Sequence, residues 1–397
     1  MRVLLFTGKG GVGKTTVAAA TATLAGARGL NTLVLSTDAA HSLADAFGAR
    51  IDREPTGVSD HVWVQQIDAQ HRFERSWAQV QRYLLSVLDA AGVDPIAAEE
   101  LTILPGAEEV LALLEVRDQA RSGRWDVLLV DCAPTAETLR LLALPEALGW
   151  YMDRVFPVER RVVKALRPML AKAAGVPMPQ DSVFDAVAAL HADLGEVRDL
   201  LVGPSASVRL VLTPESVVVA EARRALTSLS LYGYTVDGVV ANRVFPAAGA
   251  DEWRRGWVAS QREILTEVEA SFAPLPIWRC GFRSGEPVGL DELAGFAAQL
   301  YGEDDPFVGP TTEAPLRITR DLDHLRLSLA LPFADKEHLH LARHGHDLLV
   351  TVGSYRRAIS LPAVLQRLDV AGARLDDGRL DIRFQLPEEN PPADRSG

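Results

Sequence analysis

Short apolar runs alternate with longer segments whose apolar residues recur every three or four positions over the first three quarters of the chain. Short apolar runs are typical of buried strands, and the spacing of three or four is typical of helices. The alternation predicts an α/β fold, in which helices cover both faces of a parallel sheet. The predicted strands are Val3–Thr7, Thr32–Ser36, Val62–Ile67, Trp125–Asp131, Val208–Thr213, Val236–Asn242 and Leu275–Trp278.

Two long insertions interrupt this alternation, at residues 69–123 and 136–202. In both, the apolar residues follow the spacing of an amphipathic helix. We expect the two insertions to pack together as a helical subdomain beside the sheet. The first predicted domain therefore covers residues 1–302.

The pattern changes after residues 303–313, a polar stretch rich in proline and glycine that indicates a linker. Beyond the linker, apolar residues alternate with polar ones in short runs, which predicts a small β-sandwich over residues 314–387. Residues 388–397 have the composition of a disordered tail. The strands predicted in the sandwich are His324–Leu331, His338–Ala342, Leu348–Val352, Ala358–Leu361 and Leu380–Gln385.

The net charge and the cysteine content indicate which partners and which cellular compartment fit this protein. The chain has 397 residues and a formal net charge of −12, which argues against nucleic acid as the main partner. Its two cysteines, Cys132 and Cys280, lie far apart in the sequence, which fits a reducing, cytoplasmic compartment. No apolar stretch reaches the roughly 18 residues of a membrane span, so we expect no stable insertion into a membrane.

The segment between the first strand and the first helix is rich in glycine, Gly8-Lys-Gly-Gly-Val-Gly-Lys-Thr15, and matches the phosphate loop of nucleotide hydrolases. Glycines let successive backbone N–H groups face anionic oxygens, and the helix start adds its positive dipole end. Lys14 supplies charge for the β- and γ-phosphates, and the Thr15 hydroxyl is placed to ligate Mg²⁺. The alternative is a glycine-rich turn without a ligand. The residues predicted to bind ATP here are Gly8, Lys9, Gly10, Gly11, Val12, Gly13, Lys14, Thr15 and Thr16.

Two carboxylates follow predicted strands, at the edge where open α/β sheets bind their ligands. Asp131 ends the run Val127–Val130 and is predicted to hold Mg²⁺ directly or through water. Asp38 follows the second strand and can orient the attacking water, and it is also a candidate ligand of the metal. The alternative for both is the capping of a following helix.

Two further polar residues leave alternatives open. Lys9 is not required by the geometry of the loop, so it is either a solvated charge or a group that reaches a second phosphate site in a dimer. Asn242 ends a predicted strand, and its carboxamide matches the edge of a purine base. The alternative for Asn242 is a cap before the turn at Pro246.

The glycine-rich loop and two further segments together resemble the sequence motifs of the ArsA family. The two further segments are Ser36-Thr-Asp-Ala-Ala-His-Ser42 and Asp131 to Leu142. The resemblance covers about residues 1–302 and implies an ATP-dependent homodimer. Lys9 would then reach the partner's nucleotide, Asp38 would orient water, and Asn242 with Arg243 would contact adenine. The segment from Pro276 to Gly289 resembles the adenine loop of the family.

The chain departs from two branches of that family. Eukaryotic ATPases that target tail-anchored proteins bind zinc across the dimer through a Cys-x-x-Cys pair, and this chain has no such pair. Arsenite pumps bind the metalloid through cysteine thiolates, and here the two thiols are far apart in the sequence. The first departure excludes a zinc site of that kind across the dimer, and the second argues against activation by a metalloid.

The segments His338–Pro362 and Val370–Ile382 resemble the α-crystallin domain of small heat-shock proteins. The stretch from His338 to His346 is also rich in histidine, which is explained either by a metal site or by alternation along a strand.

These patterns favour a Mg²⁺-dependent ATPase that forms a homodimer and acts as a chaperone or targeting factor for apolar client segments, including tail-anchored membrane proteins. Two alternatives are the energising subunit of an arsenite or anion transporter, and a positioning ATPase that assembles on a surface.

Overall fold

The computed structural model describes residues 1–37, 42–67, 85, 94, 107–140, 142–143, 181–310, 313–321 and 324–385. The chain divides into two compact units. The N-terminal unit consists of Met1–Ala222 and Val236–Thr311, and the C-terminal unit of Arg223–Thr235 and Thr312–Gly397. A short segment from the middle of the chain therefore belongs with the last residues.

The strands of the N-terminal unit are β1 (Arg2–Thr7), β2 (Thr32–Ser36), β3 (Thr56–Ser59), β4 (Val62–Gln66), β5 (Val127–Asp131), β6 (Ala206–Leu212), β7 (Val236–Val244) and β8 (Ile277–Gly281). Its helices are α1 (Lys14–Ala27), α2 (Ser42–Phe47), α3 (Ala107–Arg121), α4 (Asp181–Val202), the start of α5 (Ser216–Tyr232), α6 (Glu252–Phe272) and α7 (Leu290–Tyr301). Residues 135–140 are also helical.

Within the described ranges, these eight strands form one sheet in the order β3-β4-β2-β5-β1-β6-β7-β8. Every neighbouring pair is parallel except β3 and β4. The predicted α/β fold is confirmed. The sheet order changes direction at β1, since β2 follows β1 in the chain but lies beyond β5. A crevice at the carboxyl ends of the strands is expected at such a switch point.

The central strands are buried on both faces, which explains their continuous apolar runs. Helix α1 packs against α7, and the small side chains of its alanines permit close packing. The hydroxyl groups of Thr21 on α1 and Tyr301 on α7 form a hydrogen bond of 2.7 Å. Helix α1 is therefore held firmly at its middle, behind the loop that precedes it.

A buried ionic network joins β1, β6 and β7. The Asp237 carboxylate binds the guanidinium of Arg2 at 2.9 Å and that of Arg209 at 2.8 Å. Burial lowers the pKa of Arg2, whereas at Arg209 burial is outweighed by the contacts with Asp237 and Tyr301 together, which raise the pKa. Arg209 stacks 4.5 Å from the Trp278 ring and donates to the Pro306 carbonyl at 2.9 Å. The network therefore anchors the first residues after α7, where the linker is predicted to start.

Helices α3 and α4 represent the described parts of the two insertions and pack against each other. Arg117 on α3 pairs with Asp193 and Glu196 on α4, and Leu194 and Val197 are fully buried. The rest of the predicted helical subdomain lies outside the described residues, as does the predicted tail 388–397.

The described part of the C-terminal unit contains the end of α5, the strands β9–β15, a single 3₁₀ turn at Lys336–His338 and one short α-helix. Their bounds are β9 (Leu316–Arg320), β10 (His324–Ala330), β11 (Leu339–His344), β12 (Asp347–Val352), β13 (Tyr355–Ser360), α8 (Ala363–Gln366), β14 (Val370–Asp376) and β15 (Arg379–Gln385). In the described part of this unit the strands form two antiparallel sheets, β14-β15-β10-β9 and β11-β12-β13. This arrangement agrees with the predicted β-sandwich.

The end of α5 is built into the core of this unit. Leu231 is fully buried among the apolar residues of the strands, including Leu348 and Phe384. Arg357, from the Arg-Arg-x-Ile-x-Leu-Pro motif, is buried and donates to the Leu231 carbonyl at 2.6 Å. The core of the C-terminal unit therefore includes residues that precede the predicted linker.

Several predicted boundaries are wrong by one to three residues, and three strands are missing from the prediction. Strand β7 continues to Val244, and β13 begins at Tyr355 and not at Ala358. The strands that were not predicted are β3, β9 and β14. They are partly exposed, so their apolar pattern is weak.

The histidine-rich stretch is mostly exposed. His340 and His344 share the exposed side of β11, whereas His338 lies in the turn before it. The described residues contain no group of three or more side chains placed to hold a metal ion. In the same part of the chain, no helix is long and apolar enough to cross a membrane.

Candidate active site

The loop after β1 has the curled backbone that its glycines predict. Gly11 and Gly13 have φ angles of 82° and 92°, which favour glycine over other residues. Gly8 is needed for space, because a Cβ atom there would overlap the Val211 carbonyl oxygen on β6. Gly10 and Gly11 are exposed, so the outer side of the loop is open to a ligand.

Helix α1 starts directly after the loop and carries three of the predicted site residues, Lys14, Thr15 and Thr16. No side chain caps its start, and its first turn contains no acidic residue, so an anion would complete its N-terminus. The Lys14 side chain is buried and its ammonium donates to the Lys9 carbonyl at 3.4 Å. The Thr15 hydroxyl lies 3.3 Å from the Ser42 hydroxyl at the start of α2. Thr16 is half-buried.

Asp131 lies at the carboxyl end of β5, beside Phe6 on β1 and Ser36 on β2. It is 1% exposed, and its backbone carbonyl accepts the Thr37 N–H at 3.0 Å. The Thr37 hydroxyl accepts the N–H of Ala133 at 3.2 Å. Through Thr37, the residues just before Asp38 are therefore hydrogen-bonded to the residues just after Asp131.

The segment after Asp131 is also tied to the phosphate loop. The N–H of Thr135 donates to the Gly8 carbonyl at 3.2 Å, and the N–H of Cys132 donates to the Phe6 carbonyl at 3.1 Å. These hydrogen bonds couple the segment after Asp131 to the phosphate loop, so a movement of one would displace the other. Asp38 itself lies outside the described residues.

Asn242 reaches the loop from β7. Its Nδ2 donates to the Val12 carbonyl at 2.9 Å, and its Oδ1 accepts the N–H of Arg243 at 2.9 Å. Asn242 is 4% exposed, whereas Arg243 is exposed and has a φ angle of 58°. The predicted adenine-contacting side chain thus already bonds to the phosphate loop.

The segment that resembles an adenine loop, Pro276 to Gly289, contains β8 and carries an exposed aromatic ring. Phe282 stacks parallel to Phe245, with 5.1 Å between ring centroids. The N–H of Gly289 donates to the carbonyl of Ala46 in the last turn of α2 at 2.9 Å. The segment is therefore fixed at both ends, next to the strand that carries Asn242.

The structure brings Lys9, Lys14, Thr15 and Asn242 together around one loop, and Thr135 connects the segment after Asp131 to the same loop. Sequence reasoning missed Thr37, Ser42 and Val211. A signal existed for Thr37, which immediately follows a strand at the same sheet edge as Asp131. No sequence signal identifies the Val211 carbonyl.

The two thiols are buried and are held in their protonated form. Burial, together with the charge of Asp131, raises the pKa of Cys132 far above its ordinary value. Burial also raises the pKa of Cys280 to about 11. Because the thiolate is the reactive form and the form that binds metals, both groups are poor nucleophiles and poor ligands at neutral pH.

We expect iodoacetamide at pH 8 to leave both cysteines of the native protein unlabelled and to label both in denaturant, as measured by mass spectrometry. The folded state favours the neutral thiol, so the contribution of Cys280 to stability is complete below its unfolded pKa of 9.0 and is lost as the pH rises through about 11. Cys280→Ala should remove this part of the pH dependence. Rapid labelling of the native protein would contradict the assignment.

Comparisons with known proteins find similar sequences for both parts of the chain. A family model described as "Anion-transporting ATPase" matches residues 1–302, and one described as "HSP20-like domain found in ArsA" matches residues 322–384. A protein of Prosthecochloris vibrioformis named "Putative arsenical pump-driving ATPase" is 37% identical over 98% of this chain and 97% of its own length. A relative in Aquifex aeolicus, with the same name and the number 1, is 33% identical over 96% of this chain and 99% of its own.

Proposed function

The chain belongs to the ArsA ATPase family, and we propose that it is a Mg²⁺-dependent enzyme that works as a nucleotide-gated homodimer and holds apolar segments of client proteins. ATP hydrolysis follows from the family, and an α-crystallin-like domain is joined to the ATPase domain. The parts of this function that are proposed are the formation of a homodimer, the use of Mg²⁺ and the binding of apolar client segments.

The observation that carries the proposal is the open, curled loop in front of an uncapped helix. Its N–H groups can hold the β- and γ-phosphates, and Lys14 adds a positive charge from the buried side. The oxygens of Thr15 and Asp131 are ligands of the kind that Mg²⁺ prefers. When bound, Mg²⁺ would offset the negative charge of the phosphates. Asp38 is the residue that we expect to orient the attacking water.

Lys9 supports the proposed dimer. Its side chain is half-buried, and its ammonium makes no ion pair within the described residues. The contact with Lys14 uses the backbone carbonyl of Lys9, so the side chain is available for another site. In a dimer that faces loop to loop, this ammonium would offset charge on the partner's nucleotide.

The thiols favour an apolar client over a metalloid. Arsenite binds through thiolates, and both cysteines of the chain are buried with raised pKa values. The transporter function remains a second candidate because of the names of the relatives. It predicts that arsenite or antimonite stimulates ATP hydrolysis.

The client part is tested with a defined peptide. We expect the Asp38→Asn protein, held with Mg-ATP, to bind a labelled peptide of about 20 leucine and alanine residues, measured by fluorescence anisotropy. A matched peptide with two central lysines should bind at least about tenfold more weakly, because charge opposes burial in an apolar groove. Analytical ultracentrifugation of the same samples should show a dimer with Mg-ATP and a monomer without nucleotide.

The outcomes separate the candidates. Equal binding of both peptides would reject the apolar client, and a monomer under all conditions would reject the gated dimer. Stimulation of the wild-type ATPase by arsenite, lost in the Cys132→Ala and Cys280→Ala variants, would establish the transporter function instead.

A further inference from the structure

The side chain of Asn242 lies between β7 and the phosphate loop, and both ends of its carboxamide are engaged. Nδ2 donates to the Val12 carbonyl and Oδ1 accepts the N–H of Arg243, each at 2.9 Å. The residue is 4% exposed, so little water competes for these bonds. A carboxamide has one further hydrogen and one further lone pair, which is all that a purine could use.

The carboxamide also fits closely against the loop. Gly13 has a φ of 92°, and a Cβ atom at that position would lie 2.5 Å from Asn242 Nδ2. The Asn242 amide therefore occupies the space that a side chain at residue 13 would fill. The phosphate loop and the Asn242 side chain are therefore closely packed at the residue that precedes α1.

The backbone that follows Asn242 bonds to helix α6. Gln261 on α6 donates from Nε2 to the Arg243 carbonyl at 3.2 Å, and its Oε1 accepts the N–H of Phe245 at 2.7 Å. Gln261 is 4% exposed. These bonds hold the backbone of Arg243 and Phe245, which follow Asn242, and Gln261 makes no bond to the phosphate loop or to the Asn242 carboxamide among the described contacts.

We propose that Asn242 is a positioning residue for the phosphate loop, which it holds in the conformation that binds triphosphate whatever base is attached. The bond from Nδ2 holds the Val12 carbonyl toward β7, and a carbonyl oxygen that faced a bound phosphate instead would repel it. This inference rests on the proposed function, because it takes the loop to be the triphosphate site. It differs from adenine recognition, which would affect ATP alone.

The test measures the binding of ATP, GTP and inorganic tripolyphosphate by isothermal titration calorimetry. We expect Asn242→Ala to weaken all three by about tenfold, since it leaves the buried Val12 carbonyl without its donor. Gln261→Ala is the matched control. It also removes a buried carboxamide that bonds to the backbone beside Arg243, but it does not contact the loop, so it should change the three affinities by less than about threefold.

Two further measurements separate positioning from general damage. Hydrogen exchange of the loop amides without ligand should be faster in Asn242→Ala than in Gln261→Ala, at equal melting temperature. Asn242→Ser keeps a small polar group whose hydroxyl is too short to replace Nδ2, and it should reproduce the losses if Asn242→Ala folds poorly.

Three results would overturn the proposal. The first is a loss of ATP affinity in both Asn242 variants with unchanged tripolyphosphate affinity, which would assign the residue to the base. The second is a wild-type protein that binds ATP but not tripolyphosphate, because the binding affinity would then come from the base and not from the phosphates. In both cases the proposed function would stand. A wild-type protein that binds no triphosphate at all would instead remove the proposed function together with this inference.

Discussion

Replacing Lys14 with alanine is expected to reduce ATP hydrolysis by at least about a hundredfold, as measured by phosphate release at saturating Mg-ATP. The Lys14 ammonium is the one buried positive charge of the described loop, and it is fixed on the Lys9 carbonyl. Without it, the loop amides alone face the charge that develops on the phosphates. Binding of a fluorescent ATP analogue should weaken strongly as well.

Lys9→Ala is the matched control, because it removes a lysine from the same loop but keeps the backbone carbonyl that Lys14 contacts. We expect its affinity for ATP to stay within about threefold of the wild type. Its turnover should fall only under conditions in which two copies associate. Normal ATP affinity in Lys14→Ala would contradict the placement of the phosphates at this loop.

Replacing Asp237 with alanine is expected to lower the free energy of unfolding of the N-terminal unit by about 3–5 kcal/mol. Asp237 is the carboxylate that binds both Arg2 and Arg209, which are 8% and 1% exposed. Its loss leaves two buried positive charges near each other, and neither can reach water. The measurement is urea denaturation followed by tryptophan fluorescence, to which Trp278 beside Arg209 contributes as one of seven tryptophans.

Asp305→Ala provides the control for that experiment. Asp305 pairs with Arg28 at 2.7 Å, but its side chain is 53% exposed. We expect a loss below about 1 kcal/mol for this exposed pair. If Asp237→Ala cost as little as Asp305→Ala, the buried network would not stabilise the fold in the way that its burial implies.

The fold could be predicted where the sequence pattern is strong. Strand β2 coincides with its prediction, and β1 differs only in that it begins at Arg2, because both are continuous apolar runs between clear breakers. Strand β14 was missed because Ala371, Gly372 and Ala373 give it no alternating pattern. The buried charges of Arg209 and Asp237 were unpredictable for a related reason: their compensation is visible only once β6 and β7 are paired.

The residues of the candidate site could be proposed from the sequence, but the bonds that connect them could not. The loop residues and Asp131 follow from local patterns, since each lies at the end of a strand. The bond from Asn242 to Val12 joins residues separated by 230 positions, and no local pattern contains it. The hydrogen bond between the Thr37 hydroxyl and the N–H of Ala133 is equally invisible in the sequence, because it forms only when β2 and β5 are neighbours in the sheet.

The place of Leu231 in the C-terminal core has a consequence for how the chain folds during synthesis. Arg357, which binds the Leu231 carbonyl, is made 126 residues later. Until then the apolar end of α5 has no core to enter, and contacts this distant in sequence form slowly. During that interval the nascent chain exposes a surface prone to aggregation. A chain that stopped before residue 324 would keep this surface uncovered, which makes premature termination more harmful here than in a protein whose domains follow one another in order.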